Sequence, residues 1–342
     1  VSHRSTIARV VEGSKAPAGH KRGVMRTVSR SLRLLDRKIG RDKTTGMPDL
    51  RDMELLASLA RHRHFARAAE ACGISQPAFS ARIRNLEIEL GVPIVKRGNR
   101  FLGFTDEGDT VLTWARRILA DAEGLRQEVE AAKGALAGRL AIGAVPTALA
   151  YAARVPSLLR AAHPGLSIQI QSLSSIQIHR KLDDLSLDAG VTYLDEDLPS
   201  HLSVRPLYEE RYVLVAQSAL VPHAAGSITW REAAGLPLCL LTRDMRNRRI
   251  LDEVFQEHVG LAPTPVTETN AFTAALAQVA DGDAATIAPA ILVETVPMAQ
   301  GAVCLDLVEP TFTTSIGLAI ADRDPTPPAV LALIEALDDK VR

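Results

Sequence analysis

Gln76, Ser80 and Arg84 stand four residues apart, with Pro77 and Ala81 beside them. On a helix that spacing gathers an amide, a hydroxyl and a guanidinium on one face. Glutamine bonds adenine bidentately, serine reads either base type or a phosphate, and arginine takes guanine or phosphate. Sixteen residues further on, Lys96, Arg97 and Arg100 surround a Gly98-Asn99 turn, where cations meet phosphates or a minor groove. Candidate contacts to double-stranded DNA are therefore Ser75, Gln76, Pro77, Ser80, Arg82, Arg84, Lys96, Arg97 and Arg100. The helix alone reads equally well as a surface helix with a solvated edge.

Positioning these groups requires a particular set of elements. A short amphipathic helix carrying Phe65, Ala68 and Ala69 ends at Cys72-Gly73, and a second starts after Ser75 as its cap, with Pro77 in its first turn. Phe79, Ile83, Leu86 and Leu90 recur at four, three and four, which predicts an apolar stripe turned to a core. Residues 92–105 read as two short strands around the Gly98-Asn99 turn. Helix, turn, helix and basic hairpin make a winged helix-turn-helix.

Residues 53–108 resemble the amino-terminal domain of LysR-type transcriptional regulators. The resemblance rests on Leu55-Leu56-Ala57-Ser58-Leu59-Ala60, Phe65-Ala66-Arg67-Ala68-Ala69-Glu70, Ser75-Gln76-Pro77-Ala78-Phe79-Ser80, Ile83-Arg84-Asn85-Leu86-Glu87, Leu90-Gly91-Val92 and Thr105-Asp106-Glu107-Gly108. The sequence departs from the family at Ala81, where a polar or basic residue is common, and at His64, where a serine often caps the helix.

A length of 342 residues suits two domains, and 46% hydrophobic residues suffice for packed cores. No apolar run reaches the ~18 residues of a membrane span, so a soluble, cytoplasmic protein is expected. The net charge is zero, but residues 1–46 hold 12 Lys+Arg against 3 Asp+Glu, leaving 28 against 37 for the rest. A uniformly basic DNA-binding body is excluded, and phosphate affinity must come from local patches. Residues 1–46 read as a basic, disordered arm or as leader sequence from an early start assignment, and their poor packing potential favours the second. Cys72, Cys239 and Cys304 have no metal-ligand spacing and suit a reducing compartment. His62 and His64 lack neighbouring ligands, so no metal or other cofactor is expected.

Thr105 is placed to cap a helix over 106–135, in which Val111, Ala115, Ile118, Ala122, Leu125, Val129 and Ala132 alternate by four and three. This pattern makes a dimerisation seam or a face packed on its own domain. In the resembling family the linker helix pairs two chains, which implies a homodimer or homotetramer on an inverted-repeat operator, and contact with RNA polymerase if the protein activates. Gly134 and Gly138 read as a hinge.

From Arg139 onward strands and helices alternate, which predicts a parallel α/β sheet in two lobes. Strands are expected at 139–145, 166–171, 188–194, 202–206 and 212–216, with helices at 148–162 and 176–185 between them. The complete expectation is an α+β winged helix-turn-helix domain (47–105), a linker helix (106–135) and an α/β two-lobed, periplasmic-binding-protein-like (type 2) effector domain (139–342). Lobe I would hold about 139–207 and 313–342, and lobe II about 208–312.

Ligands of open α/β folds sit at the carboxyl ends of strands and against helix N-termini. The rule selects Thr147, Ser174, Ser175, Tyr193, Thr242 and Asn270 for a small-molecule effector, and each also reads as a cap of its own helix. Hydroxyls there favour a small anion such as a carboxylate, with Arg243 or Arg246 adding charge. In the resembling family the position of Thr147 commonly holds an effector. Leu187–Leu194 is similar to a stretch of LysR-type regulators associated with formate dehydrogenase genes, which implies formate or a related anion. Some members of that family sense oxidants with a cysteine pair, but Cys239 and Cys304 lie in apolar strand-like runs that suit inert buried thiols. A constitutive architectural protein with an oligomerising α/β domain is the alternative. With no phosphate loop, G-x-S-x-G or HExxH, an enzyme is not expected.

Overall fold

Apolar side chains at helical spacing organise the first part of the chain. In a computed structural model, residues 48–341 are described apart from 97, 99, 100, 195–197, 224 and 261. Helix α1 (Leu50–His62) is capped by Asp49, whose side chain accepts from Asp52 N. Helix α2 (Phe65–Ala71) is capped by His64, its Nδ1 accepting from Arg67 N at 3.5 Å. The departure from serine thus keeps a capping acceptor. Helix α3 (Gln76–Leu90) is capped by Ser75 and stops at Gly91, whose φ of 69° suits glycine. Leu55, Leu56, Leu59, Ala68, Phe79, Ile83 and Leu86 are buried together with the edge-on Phe65–Phe79 pair.

The stripe on α3 ends one turn earlier than its spacing predicts. Leu90 is exposed, and Glu87 is buried in its place, with Oε1 accepting from Ile94 N at 2.8 Å and Val95 N at 3.1 Å. One carboxylate thereby seats the start of the wing. Among the described residues the wing pairs through a bridge between Val95 and Phe104, with Lys96 N bonding Gly103 O and Thr105 N bonding Ile94 O. Arg97, Arg100 and residues 1–46, predicted to act or to extend from this domain, lie outside the described residues.

The chain forms two compact units, dividing at Gly108. Helix α4 (Asp106–Ala132) spans 27 residues, about 40 Å at 1.5 Å per residue. Thr105 caps it as expected, accepting from Gly108 N at 2.9 Å. Within the second unit α4 is fastened along its length: Arg116 to Asp184 at 2.7 Å, Asp121 to Arg323 at 2.6 Å, and Gln127 to Arg139 O and Ala329 N, both at 3.2 Å. These bonds bear on the predicted seam and on the predicted hinge. Ala115 is buried within its own chain, and the apolar side chains left outward are Trp114, Ile118, Leu125 and Val129. Gly138 is a close-approach residue, because a Cβ there would lie 2.7 Å from Glu123 Oε1 and 2.9 Å from an Arg126 nitrogen. Gly134, directly after α4, has a φ of 88° and open space where a Cβ would stand.

The remaining elements are β1 (Ala137–Ala144), a 3-10 turn (Pro146–Ala148), α5 (Leu149–Ala152), α6 (Val155–Arg160), β2 (Gly165–Ser172), α7 (Ser175–Asp183), β3 (Ala189–Tyr193) and β4 (Leu202–Gln217). They continue with β5 (Ser227–Thr229), α8 (Trp230–Ala234), β6 (Cys239–Leu241), α9 (Arg246–His258), β7 (Thr267–Thr269) and α10 (Phe272–Asp281). The chain closes with β8 (Thr286–Pro289), α11 (Ala290–Thr295), β9 (Ala302–Val308), β10 (Thr313–Ala321) and α12 (Pro328–Val341). The single helix predicted over 148–162 is broken into three pieces, with Pro156 in the first turn of α6, where a missing N–H is tolerated.

The sheet is mixed, not parallel. Strands β2, β1 and β3 are parallel, while β10 runs antiparallel to both β3 and β4. Strand β4 is one 16-residue strand where two were expected. Its first half pairs β10 in one lobe, and its second half pairs β8 and β9 in the other. A single chain crossing out on β4 and back on β10 forces that antiparallel pair. A bulge places Leu207 outside the register between Ile316 and Gly317.

Candidate functional site

On α3, Gln76, Pro77, Ala81 and Arg84 are exposed and Ser80 is half-buried, so the helix presents amide, hydroxyl and guanidinium along one edge. Ser75 spends its hydroxyl on Ala78 N at 3.4 Å. The Arg82 guanidinium binds Asp52 at 2.7 Å and Asp49 at 2.9 Å, joining α3 to the start of α1, and its side chain stays 40% exposed. The two carboxylates raise the Arg82 guanidinium further, through their hydrogen bonds first. Lys96 is exposed beside the wing bridge.

In the second unit, strand alternation builds a polar cluster inside the protein. Tyr208, Glu210 and Tyr212 lie two apart on β4 and so share a face. Register places Ile316 opposite Tyr208, Thr314 opposite Glu210, and Tyr193 of β3 opposite Ile316, all on that same face. From the 3-10 turn after β1, Thr147 Oγ1 reaches Tyr193 Oη at 2.9 Å, and that hydroxyl donates to Glu210 Oε1 at 3.4 Å. Tyr212 Oη meets Thr314 Oγ1 at 3.0 Å.

Glu210 is only 1% exposed. Burial pushes its carboxyl up to about 7, against the opposing pull of the Tyr212, Thr147, Tyr193 and Tyr208 hydroxyls. Burial likewise drives the Tyr193 and Tyr212 phenols up. Among the described residues Glu210 Oε2 and Tyr208 Oη make no well-aligned hydrogen bond, although each carboxyl and hydroxyl lies close enough to act on the other, a state a buried polar atom rarely keeps without a reason.

The second lobe closes over this cluster. Ile250 of α9 belongs to the apolar core that contains Tyr193 and Ile316. Ala150, three residues past Thr147, packs with Leu241, the residue before Thr242. Thr242 Oγ1 and Asn247 Nδ2, at the end of β6 and the start of α9, are also buried without partners. Arg246 is tied to Glu253 at 3.0 Å, and the buried Arg248 to Asp252 and Glu268, while Arg243 is exposed.

Of the six predicted effector residues, Thr147 and Tyr193 come together and Thr242 borders the same seam. Ser174 is consumed as the cap of α7 in a reciprocal pair with Gln177. Ser175 meets Thr192 at 3.3 Å, on the face of β3 opposite Tyr193, because successive strand residues alternate. Asn270 is exposed and precedes α10 by two residues; the helix is capped at Ala271, whose N–H bonds the Thr269 hydroxyl. Sequence reasoning missed Glu210, Tyr208, Tyr212 and Asn247. The signal available was the alternate spacing of Tyr208, Glu210 and Tyr212 along one strand.

Comparison with known proteins bears directly on this architecture. Residues 50–109 match the family described as bacterial regulatory helix-turn-helix protein, lysR family, and residues 133–342 match the LysR substrate binding domain. The chain belongs to the LysR family. It is 28% identical to the DNA-binding transcriptional dual regulator OxyR of Escherichia coli over 295 residues, 84% of this chain and 94% of that protein. A hydrogen peroxide-inducible genes activator of Dickeya chrysanthemi is 34% identical over 163 residues, 47% of this chain and 53% of that protein, so this match spans about half of that relative. Full-length OxyR of Pseudomonas aeruginosa superposes with a TM-score of 0.66 at 25% identity, covering 84% of this chain and 97% of that one. This LysR-type protein is therefore a DNA-binding transcriptional regulator with an effector-binding domain. Among the described residues no helix is long and apolar enough to cross a membrane.

Three cysteines are available for thiol chemistry. Cys239 is buried in β6 and Cys304 is exposed on β9, which corrects the expectation that both are buried. Burial raises the Cys239 thiol, and a raised thiol holds little thiolate.

Proposed function

We propose that this regulator binds an inverted-repeat operator as a homodimer or homotetramer in the cytoplasm and alters its DNA contacts when a small carboxylate, formate first among candidates, enters between its lobes. Gln76, Ser80 and Arg84 would read bases, with Pro77 and Ala81 against the groove and Lys96, Arg97 and Arg100 on phosphates. Arg82 would act by holding α3 to α1. The protein would act without catalysis.

One observation carries the effector site: buried hydrogen-bonding atoms without partners, Tyr208 Oη on one side of the seam and Thr242 Oγ1 and Asn247 Nδ2 on the other. Hydroxyl and amide donors in a dry seam suit carboxylate oxygens. The peroxide response in the names of the relatives is said of those proteins and is not carried over to this chain.

A footprint of the full chain on DNA flanking its own gene, with and without formate and other small carboxylates, tests this reading. The expected result is a protected inverted repeat whose extent changes with one compound. Protection that none of them alters would overturn the carboxylate assignment.

A further inference from the structure

An anion entering the seam meets the Glu210 carboxyl, a group of its own sign. Glu210 Oε2 is buried and unpartnered beside an unpartnered Tyr208 Oη, while its Oε1 ends the hydroxyl chain from Thr147 through Tyr193. The groups facing the carboxyl are hydroxyls from every side: Thr147 from the 3-10 turn, Tyr193 from β3, Tyr208 and Tyr212 from β4 itself, and Thr314 from β10. The strongest influences on Glu210 are burial and four of these hydroxyls, with no cation among them. The charge of Arg154 acts on Tyr151 and Tyr208. The neighbours of Glu210 on β4 turn the other way, Glu209 to Ser315 and Arg211 to Asp306. From the closing lobe, Arg246 and Arg248 face carboxylates of their own, and Arg249 Nε on α9 is buried without a partner.

Two carboxylates side by side in a dry seam cannot both be ionised. Resting on the assignment of that seam to a small carboxylate, we propose that the effector is bound together with one proton, held between a ligand oxygen and Glu210 Oε2. The proton comes from solvent, no covalent bond changes, and the pair carries one negative charge in place of two. The Tyr208 hydroxyl then donates to a remaining oxygen, while Thr147 keeps its own proton on Tyr193 and so aims that hydroxyl at Glu210. Below about pH 7 Glu210 already holds that proton, and above it binding an anion takes one up from solvent.

The test measures half-saturating formate and acetate, with sulfate as control, for the full chain by ligand-induced thermal shift at pH 6, 7, 8 and 9. The half-saturating concentration should be flat below about pH 7 and rise about tenfold per unit above it. In Glu210→Gln, whose amide donates at every pH, it should stay near the low-pH value throughout. Carboxylate binding with no pH dependence in the native chain, or a dependence that survives in Glu210→Gln, overturns the proton and leaves the carboxylate site standing. No shift with either carboxylate at pH 6 overturns the site assignment, and the proton with it.

Discussion

Thr147 and Tyr193 share a hydroxyl–hydroxyl contact of 2.9 Å although 46 residues separate them. They come from the carboxyl ends of β1 and β3, parallel neighbours in the sheet, which is where an open α/β fold gathers ligand groups. With Thr147 fully buried, the hydroxyl either orients Tyr193 toward Glu210 or serves a ligand, and a shape-preserving change separates the hydroxyl from packing.

Thr147→Val is therefore expected to fold, to lose about 1–2 kcal/mol of stability through one unsatisfied partner, and to protect operator DNA as the native chain does. Its footprint should no longer respond to the carboxylate that the native chain recognises. A full response in the variant would show that Thr147 serves only Tyr193.

Arg82 and Arg84 stand two residues apart and are predicted to fail differently. Arg84 is exposed, whereas Arg82 binds Asp49 and Asp52. Arg84→Ala should weaken operator binding tenfold or more with Tm unchanged. Arg82→Ala should lower the Tm of the first unit by a few degrees, with DNA affinity falling only as folding does. Its ion pairs are half-exposed, which keeps their contribution within about 1 kcal/mol. Equal affinity losses at unchanged Tm would return Arg82 to the DNA face.

Glu87, like Arg82, has a structural duty on α3. Its carboxylate accepts two backbone N–H groups that would otherwise be buried without partners. Glu87→Ala is expected to cost about 2–3 kcal/mol and to loosen the wing, seen as faster hydrogen exchange at Ile94 and Val95. Protection unchanged at both amides would show that the bridge alone holds the wing.

Local periodicity made much of this legible. The helix pair, its caps at Ser75 and Thr105, and the order of strands and helices follow from spacing and from residues that bond their own backbone. Strand direction did not follow, because a chain that crosses between lobes and returns leaves no local trace of the antiparallel β4–β10 pair. The same limit hid the site. Glu210 is adjacent to Glu209 in sequence, and only the register of β4 against β10 turns one inward and the other out. Ser174 and Ser175 were selected by their place at a strand end, and alternation on β3 then put them across the sheet from Tyr193.

Gly138 tests how firmly α4 is seated. Any side chain there meets Glu123 and Arg126, and the φ of 134° strains a non-glycine residue as well. Gly138→Ala should push α4 off Arg139, break the two Gln127 bonds and lower the Tm of the second unit, with a loss of about 1–3 kcal/mol. Gln127→Leu, which removes the bonds and keeps the bulk, should reproduce part of that loss. If both variants melt with the native chain, α4 is not held by this contact.

The last prediction concerns stability rather than binding, and its sign follows from linkage. In the folded protein the Glu210 carboxyl is pushed up to about 7 from an ordinary 4.5. Between those values the folded state holds the proton more tightly than the unfolded chain, so stability falls as pH rises through that window and levels off above it. The gap corresponds to on the order of 3 kcal/mol, present in full below the lower value and lost above the upper one. Glu210→Gln keeps the acceptor for Tyr193 and cannot ionise, so it escapes the loss. Its Tm should match the native chain near pH 4.5 and exceed it by several degrees at pH 8, measured by calorimetry without ligand. An equal difference at both pH values would mean that Glu210 is ionised throughout.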